Sequence, residues 1–229
     1  MGYFFRTEPD SGFDFNMHLV RLGLILFLLI IYKLRKKAWL LKGLLVASVI
    51  LQGVLYLWYT QDYNMLLHEG LPLYHCRLAG IFLPLSFFLK KEKLMAYFSD
   101  LALVGTLVAF SVPDPSVYAW PHITNLTYIA NHYVLMACGL LVTLSNHKTI
   151  DFRTIAGLSL FMNSVIFALD LILEANYGYL IRVPIEFFAS VPSLVVFLVM
   201  TLLISLIIFL IENIKAKIRD NWLIFSIYY

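Results

Sequence analysis

The sequence has few charged residues and few cysteines. Only 14% of its 229 residues are Asp, Glu, Lys or Arg, whereas 61% are hydrophobic, more than an ordinary soluble domain carries. Its basic residues do not form the clustered surface that nucleic acid requires, so no nucleic-acid partner is expected. The two cysteines, Cys76 and Cys138, are too few for a disulfide framework.

Familiar catalytic and metal-binding motifs are also missing. The sequence contains no HExxH zinc-protease motif and no GxSxG nucleophile elbow. Its histidines lack the spacing of metal ligands, and the last apolar run has no lysine for a retinal Schiff base. We therefore expect neither a metal nor another cofactor.

Long apolar runs are abundant instead. Seven of them are about as long as a membrane-crossing helix, and they lie at 17–34, 38–59, 71–89, 94–112, 122–145, 154–175 and 184–212. The sequence therefore predicts an all-α, polytopic membrane protein with seven transmembrane helices. Residues 1–16 form an extracellular amino-terminal segment in this interpretation, 17–212 the transmembrane domain, and 213–229 a cytoplasmic or interfacial tail.

The charges between these runs predict an orientation. Basic residues follow the first, third, fifth and seventh runs: Lys33, Arg35, Lys36, Lys37, Lys90, Lys91, Lys93, Lys148, Arg153, Lys215, Lys217 and Arg219. The other connections are mainly acidic, with Glu8, Asp10, Asp14, Asp62, Glu69 and Asp114. Because cytoplasmic loops are enriched in Lys and Arg, the amino terminus is predicted outside and the carboxy terminus inside, in the cell membrane.

Polar residues inside apolar runs are costly in a membrane and mark candidate sites. Counting 1.5 Å per residue, Cys76 lies roughly 8 Å and His132 roughly 14 Å from the outer start of its run. Arg21 and Asp170 lie about one turn inside the outer ends of theirs. Helical spacing adds Asn163 to the stripe of Asp170, and Tyr128 to the stripe of His132. We expect Arg21, Asp170 and His132 to line one shared, outward-facing cavity.

Each of these residues also has a purely structural interpretation. A cysteine in a membrane helix is commonly a small packing residue, and a histidine commonly bonds a neighbouring helix. Arg21 is equally explained by an ion pair with Asp170 or Glu174. The residues alone leave these alternatives open.

Four motifs, in this order, resemble a known family: LPLYHC at 71–76, PDPSVYAWPH at 113–122, NHYVLMACG at 131–139 and LEANYGYLIRVP at 173–184. The sequence is similar over roughly 15–215 to the YwaF-like bacterial integral membrane family, which is related to the animal transmembrane protein 164. Bacterial members carry LPLH-x-C, whereas Tyr74 takes the place of that histidine here and His75 follows it.

The resemblance implies a function and a site. The animal relative is an acyltransferase that makes polyunsaturated ether phospholipids, with a cysteine and a histidine as its active residues. These correspond to Cys76 and His132. The resemblance also implies that Asn176 and Tyr177 belong to a shared loop motif.

We therefore expect a membrane acyltransferase, either a lipid-to-lipid transacylase or a lipid hydrolase, that acts on a phospholipid or lysophospholipid. Cys76 carries the acyl group as a thioester and His132 is the general base. The other candidate site residues bind substrate; they are Arg77, Arg21, Asp170, Asn163 and Tyr128. The alternative is a non-enzymatic protein that binds or transports a lipid headgroup, or a membrane partner of another protein, neither of which requires Cys76.

Overall fold

A computed structural model describes residues 2–10, 12, 14–113, 116–145 and 149–227. Of the described residues 77% are helical, and none of them forms a strand. Its helices are α1 (Met17–Leu34), α2 (Ala38–Tyr59), α3 (Tyr63–Met65, continued as a π-helix over Leu66–Gly70), α4 (His75–Phe88), α5 (Glu92–Ser111), α6 (Ile123–Leu144), α7 (Phe152–Leu173) and α8 (Ser193–Ile227). Short 3₁₀ turns lie at Tyr3–Phe5, Tyr177–Tyr179 and Glu186–Phe188. The predicted all-α fold is confirmed.

Six of these helices are long and apolar enough to cross a membrane: α1, α2, α5, α6, α7 and α8. The predicted third span is different. It consists of α4, which has 14 residues, and of α3 with its π-helix, and the two parts meet at an angle of 80°. The described residues therefore contain six spans, or seven if the bent pair counts as one, and the chain is a multi-pass membrane protein.

Two predicted span boundaries are wrong, and proline explains both. Residues 71–74 form a turn around Pro72, so α4 begins at His75 and not at 71. The last helix begins at Ser193, directly after Pro192, and not at 184. A proline disfavours helical geometry in the residue before it. The residues before His75 and Ser193 are therefore apolar, as in a span, but do not continue the helix. At its other end α8 continues to Ile227, through the segment expected to form a tail.

Helices α5 and α6 form the centre of the bundle. They pack against each other, with α2 and α4 against them, whereas α1 contacts α6 from outside and α7 pairs with α8. Gly139 of α6 allows the close approach, since a Cβ there would lie only 2.6 Å from Cγ of Leu103 on α5. The main core between these helices includes the fully buried Tyr97, Leu135 and Cys138.

The predicted acidic and basic connections lie at opposite ends of the bundle. At one end the amino-terminal segment packs on the α5–α6 connection, where Arg6 donates to the carbonyl oxygen of Ala119 at 2.8 Å. At the other end the Glu212 carboxylate accepts from the backbone N–H of Ile150 at 2.7 Å, and Lys215 contacts Asp100 at 2.5 Å. Asp114 and Lys148 lie outside the described residues. The orientation of the two ends across the membrane stays a prediction.

Candidate functional site

A cavity of about 400 Å³ lies among α2, α4, α5, α6 and α8. Its wall is largely apolar and includes Leu51, Leu55, Leu101, Val104, Met200 and Ile204. Residues between the long helices also contribute to it and belong to the acidic end of the bundle: Glu69, Ser116, Val117, Gly178 and Tyr179. Cys76, His132, Arg77 and Tyr128 also line this cavity, so four of the seven predicted site residues meet there.

Cys76 is the second residue of α4. The first intrahelical bond joins the N–H of Leu78 to the carbonyl oxygen of Tyr74 at 2.9 Å, and no side chain caps the helix. The amides of residues 75–77 therefore precede the hydrogen-bond ladder, as at any helix start. Their partial positive charge favours a negative group at this position, and a thiolate is such a group.

The short α4 also explains how Cys76 and His132 meet. The predicted depth of Cys76 counts from residue 71, whereas α4 starts at His75, below a layer of loops. In this layer the N–H of Leu71 donates to the hydroxyl of Tyr177 at 3.1 Å, and Gly70 is buried against Tyr59. The first turn of α4 is therefore inside the bundle, and Cys76 and His132 are neighbours in the lining of one cavity.

His132 has a fixed tautomer. Its Nδ1 lies 2.7 Å from the carbonyl oxygen of Tyr128, and because a carbonyl only accepts, Nδ1 carries the hydrogen. Nε2 is then the nitrogen with the lone pair. This nitrogen is buried and has no hydrogen-bond partner among the described residues. The thiol of Cys76 is its neighbour. An unoccupied basic nitrogen beside a thiol is the arrangement that proton transfer requires.

Gly105 on α5 keeps the space next to Cys76 open. A Cβ at this position would lie 3.6 Å from Cβ of Cys76 and 3.8 Å from its backbone nitrogen. An alanine would already contact Cys76, and a larger side chain would take up space beside it. The sequence contained no signal for this role, because glycines in membrane helices commonly serve helix packing.

Arg77 lines the cavity but also holds the chain before α4. Its guanidinium donates to the backbone carbonyls of Glu69 and Leu71 and, at 3.1 Å, to the hydroxyl of Tyr59. The guanidinium carbon lies 5.1 Å and 4.9 Å from the ring centres of Tyr59 and Tyr74. Its cationic group thus lies at the cavity, in a position set by backbone contacts.

Arg21, Asp170 and Asn163 do not line the cavity. Nε of Arg21 donates to the carbonyl oxygen of Phe110 at 2.8 Å, and the Asp170 carboxylate accepts from the N–H of Tyr177 at 2.7 Å. The expected shared cavity of Arg21, Asp170 and His132 is therefore wrong. The reason is that α1 lies outside α6 and α7 pairs with α8, so a polar stripe on either of them meets a neighbouring helix or loop.

Asn163 belongs to a chain of hydrogen bonds that ends at His75. The hydroxyl of Thr201 donates to the carbonyl oxygen of Phe197, the Asn163 amide nitrogen donates to Thr201 at 2.9 Å, and its oxygen accepts from Nε2 of His75 at 2.8 Å. His75 lines the cavity beside Cys76. Asn163 thus supports the wall of the site from behind, and sequence spacing alone did not relate α7 to α4.

Two amide side chains of the cavity were not predicted as site residues, namely Gln52 on α2 and Asn131 on α6. Gln52 was a weak signal, since it interrupts an otherwise apolar run. No group of three His, Cys, Asp or Glu side chains in the described part of the chain is arranged to hold a metal ion.

Comparison with known proteins identifies the family. The sequence profile of the TMEM164 family matches residues 14–212, which include α1 to α7 and the amino-terminal part of α8. The chain therefore belongs to this family. The relationship to transmembrane protein 164 inferred from the four motifs is confirmed at the family level. No curated protein and no solved structure matches the chain.

Proposed function

We propose that this member of the TMEM164 family is a phospholipid acyltransferase that uses Cys76 as nucleophile and His132 as general base. One observation carries the proposal: Nε2 of His132 is buried, lacks a regular hydrogen bond within the described chain, and has the thiol of Cys76 as its neighbour. The fixed Nδ1–H of His132, the start of α4 at the thiol and the apolar cavity support it.

In the first half-reaction Nε2 of His132 removes the thiol proton, and the Cys76 sulfur attacks the ester carbonyl carbon of a phospholipid. The tetrahedral intermediate then breaks its bond to the glycerol oxygen. His132 returns the proton to this oxygen, so a lysophospholipid leaves and the acyl chain remains on Cys76 as a thioester. A free thiol is only a few per cent ionised at neutral pH, which is why a positioned base is required.

In the second half-reaction Nε2 takes the proton of an acceptor hydroxyl, and the acceptor oxygen attacks the thioester carbonyl. The carbon–sulfur bond breaks, and His132 protonates the sulfur to restore the thiol. A lysophospholipid acceptor makes the protein a transacylase, whereas water makes it a hydrolase. The apolar wall of the cavity favours a lipid acceptor, because it gives a hydrocarbon chain a better environment than it gives water.

The predicted orientation supports a lipid as acyl donor. The cavity belongs to the acidic end of the bundle, which the positive-inside rule assigns to the outer side of the cell membrane. Ester carbonyls of phospholipids lie at the boundary of headgroups and hydrocarbon, whereas soluble acyl thioesters of coenzyme A are cytosolic. Arg77, at the cavity, is our proposed partner for the lipid phosphate.

The test is intact-protein mass spectrometry of purified chain incubated with phospholipid. We expect an added acyl mass on Cys76 that hydroxylamine removes, and we expect lysophospholipid to appear in equal amount. The alternative, a protein that binds or moves lipid headgroups, predicts bound phospholipid without an adduct and without lysophospholipid. That result would refute the acyltransferase proposal.

A further inference from the structure

The face of α5 that lines the cavity changes from buried to exposed along its length. Leu101, Val104, Gly105, Val108 and Val112 line the cavity together, and their spacing puts them on one side of the helix and its carboxyl end. Val104 is only 6% exposed, whereas Val108 is 52% and Val112 50% exposed. This face is therefore covered by protein as far as Gly105 and open beyond it, towards the acidic end of the bundle.

The late start of α4 explains the change. A Cβ on Gly105 would lie 3.6 Å from Cβ of Cys76, so α5 passes the first turn of α4 at this glycine. Because α4 begins at His75 and runs from there towards the basic end, it packs along the part of α5 that precedes Gly105. Val108 lies one turn further along the same face, about 5–6 Å from Gly105. The exposed part of the cavity wall thus begins one turn from Cys76.

Helix α8 lines the cavity at the same level as Val108. It runs antiparallel to α5, and the contact of Lys215 with Asp100 joins the two helices near the basic end. Counting 1.5 Å per residue, Val108 lies roughly 12 Å from Asp100, and Ile204 roughly 16 Å from Lys215. Met200, one turn before Ile204, also lines the cavity. Helices α5 and α8 therefore flank the cavity where its α5 wall is exposed.

The surface around this exposed wall is apolar. Leu107, next to Val108, is 57% exposed, and the half-exposed Val117 continues the lining beyond Val112. In a multi-pass membrane protein, an exposed apolar face near the end of a spanning helix meets the hydrocarbon of the bilayer.

The size of the cavity also bears on how a lipid reaches it. Pockets of about 300–1,000 Å³ enclose ligands of drug size, and this cavity has about 400 Å³. A phospholipid with two long acyl chains is larger than such ligands, so the cavity holds only part of it. The remainder of the substrate must stay in the bilayer while its ester meets Cys76.

We infer that the cavity opens sideways into the bilayer between α5 and α8, and that an acyl chain of the donor phospholipid enters there across Val108 and Val112. The inference rests on the proposed acyl transfer. One chain and its ester pass Val108 to reach Cys76, while the second chain stays in the bilayer. Sideways entry keeps the hydrocarbon out of water throughout, whereas entry through the loops at the acidic end would expose it.

The experiment compares two reactions of Cys76 in full-length protein in phosphatidylcholine nanodiscs. Acylation takes a lipid from the bilayer, whereas alkylation takes only iodoacetamide, which is small and dissolves in water. Val108→Trp narrows the proposed opening, so acylation should slow at least about tenfold, because the ester cannot reach its reactive position, and alkylation should stay within about twofold of wild type. Val112→Trp should act in the same direction. Leu107→Trp is the matched control, since Leu107 is similarly exposed on α5 but does not line the cavity.

A spin label shows whether the opening faces lipid, and it requires no acyl transfer. A nitroxide on Val108→Cys, in a chain with Cys76 and Cys138 replaced by serine, should collide more with oxygen, which concentrates in the bilayer, than with a water-soluble nickel chelate. A nitroxide on Tyr63→Cys is the control, because Tyr63 is exposed between α2 and α4 at the acidic end. It should show the reverse preference.

Each outcome decides the inference. Equal acylation rates in wild type, Val108→Trp and Val112→Trp would overturn it and leave the proposed acyl transfer intact. An equal loss in Leu107→Trp, or parallel losses of acylation and alkylation in both cavity variants, would also overturn it. A label on Val108→Cys that prefers the nickel chelate would mean that the opening faces water, with the same consequence. If wild-type Cys76 accepted no acyl group while iodoacetamide still alkylated it, the proposed function itself would fail, and the entry of a donor lipid with it.

Discussion

Nδ1 of His132 donates a hydrogen bond to the carbonyl oxygen of Tyr128, 2.7 Å away and four residues earlier on the same helix. Both residues belong to α6, so the helix itself sets the orientation of the imidazole. It leaves Nε2 as the basic nitrogen at the cavity, next to Cys76. Two aromatic rings pack beside the imidazole: the ring centres of Tyr128 and Phe110 lie 4.8 Å and 5.5 Å from that of the imidazole.

This arrangement predicts a large effect of His132→Ala. Removing the base should slow acylation of Cys76 about 10²–10⁴-fold, because general base catalysis typically contributes that much. The initial rate of adduct formation by intact mass measures it. His68→Ala is the control, since His68 is an exposed residue of the π-helix after α3, and its ring bonds the carbonyl oxygen of Asn64. An unchanged rate in His132→Ala would contradict the assigned base.

Cys76→Ser should abolish lipid remodelling and leave the protein folded. The serine hydroxyl is nearly the same size as the thiol but far harder to ionise, so packing survives and nucleophilicity does not. Lysophospholipid release, followed by lipid mass spectrometry, measures the loss. Cys138→Ser is the matched control, because Cys138 is fully buried in the main core and does not line the cavity. Full activity in Cys76→Ser would exclude the thioester mechanism.

The sequence predicts the bundle well because its signals are long. Apolar runs of about 20 residues and the charges between them specify helices and their alternation, and the motifs around Cys76 and His132 indicated the family. These signals depend on composition over a whole segment. For this reason the helix type was predictable even where the boundaries at His75 and Ser193 were not.

Which polar side chains meet was harder to predict, because this depends on helix neighbours. Arg21 and His132 have similar signals in sequence, but α1 packs on the outside and Arg21 bonds Phe110. Gln52 and Gly105 reach the site only because α2 and α5 both pack beside α4 and α6. Periodicity along one helix gives the face that is polar, and it does not give the helix that this face meets.

The predicted orientation has a direct test by cysteine labelling from outside. Tyr63→Cys and Lys91→Cys introduce thiols at exposed positions at opposite ends of the bundle, in a chain with Cys76 and Cys138 replaced by serine. A membrane-impermeant maleimide applied to intact cells should label Tyr63→Cys and not Lys91→Cys, because the lysine-rich loop is predicted inside. Both should react after the membrane is permeabilised. The reverse preference would invert the topology and place the cavity on the inner side.

Acidification should loosen the amino-terminal segment through His122, at the start of α6. Nε2 of His122 donates to the carbonyl oxygen of Arg6 at 2.9 Å, so Nδ1 is the acceptor that caps the N–H of Thr124. Burial lowers the pKa of His122 below its ordinary value of 6.5, although the bond to Arg6 and the nearby Asp10 oppose the effect. The unfolded chain therefore binds the proton more readily, and stability falls as the pH drops from 6.5 towards the lower folded-state pKa.

Hydrogen exchange of residues 2–10 measures this effect. We expect slower exchange at pH 7 than at pH 5, after correction for the intrinsic pH dependence of exchange, because a protonated Nδ1 no longer accepts from Thr124. His122→Asn keeps a side-chain acceptor for the helix start but cannot titrate in this range. In that variant the corrected exchange should be nearly the same at both pH values. A pH dependence that persists in His122→Asn would assign it to another group.

Gly178→Ala should destabilise the loop that closes the cavity beside His75. Gly178 has φ +62°, and a Cβ there would lie 2.7 Å from Cε1 of His75, whose other side is held by Asn163. The left-handed conformation costs an alanine about 1–2 kcal/mol, and the contact with a fixed ring adds to this cost. The melting temperature in detergent should fall, and acylation of Cys76 should slow as the wall of the cavity moves.

Gly157→Ala is the matched control, because Gly157 is exposed within α7 with nothing near its Cβ position. Alanine favours a helix there by about 0.5–1 kcal/mol. If both variants melted alike, the close contact between Gly178 and His75 would not be a feature of the folded protein.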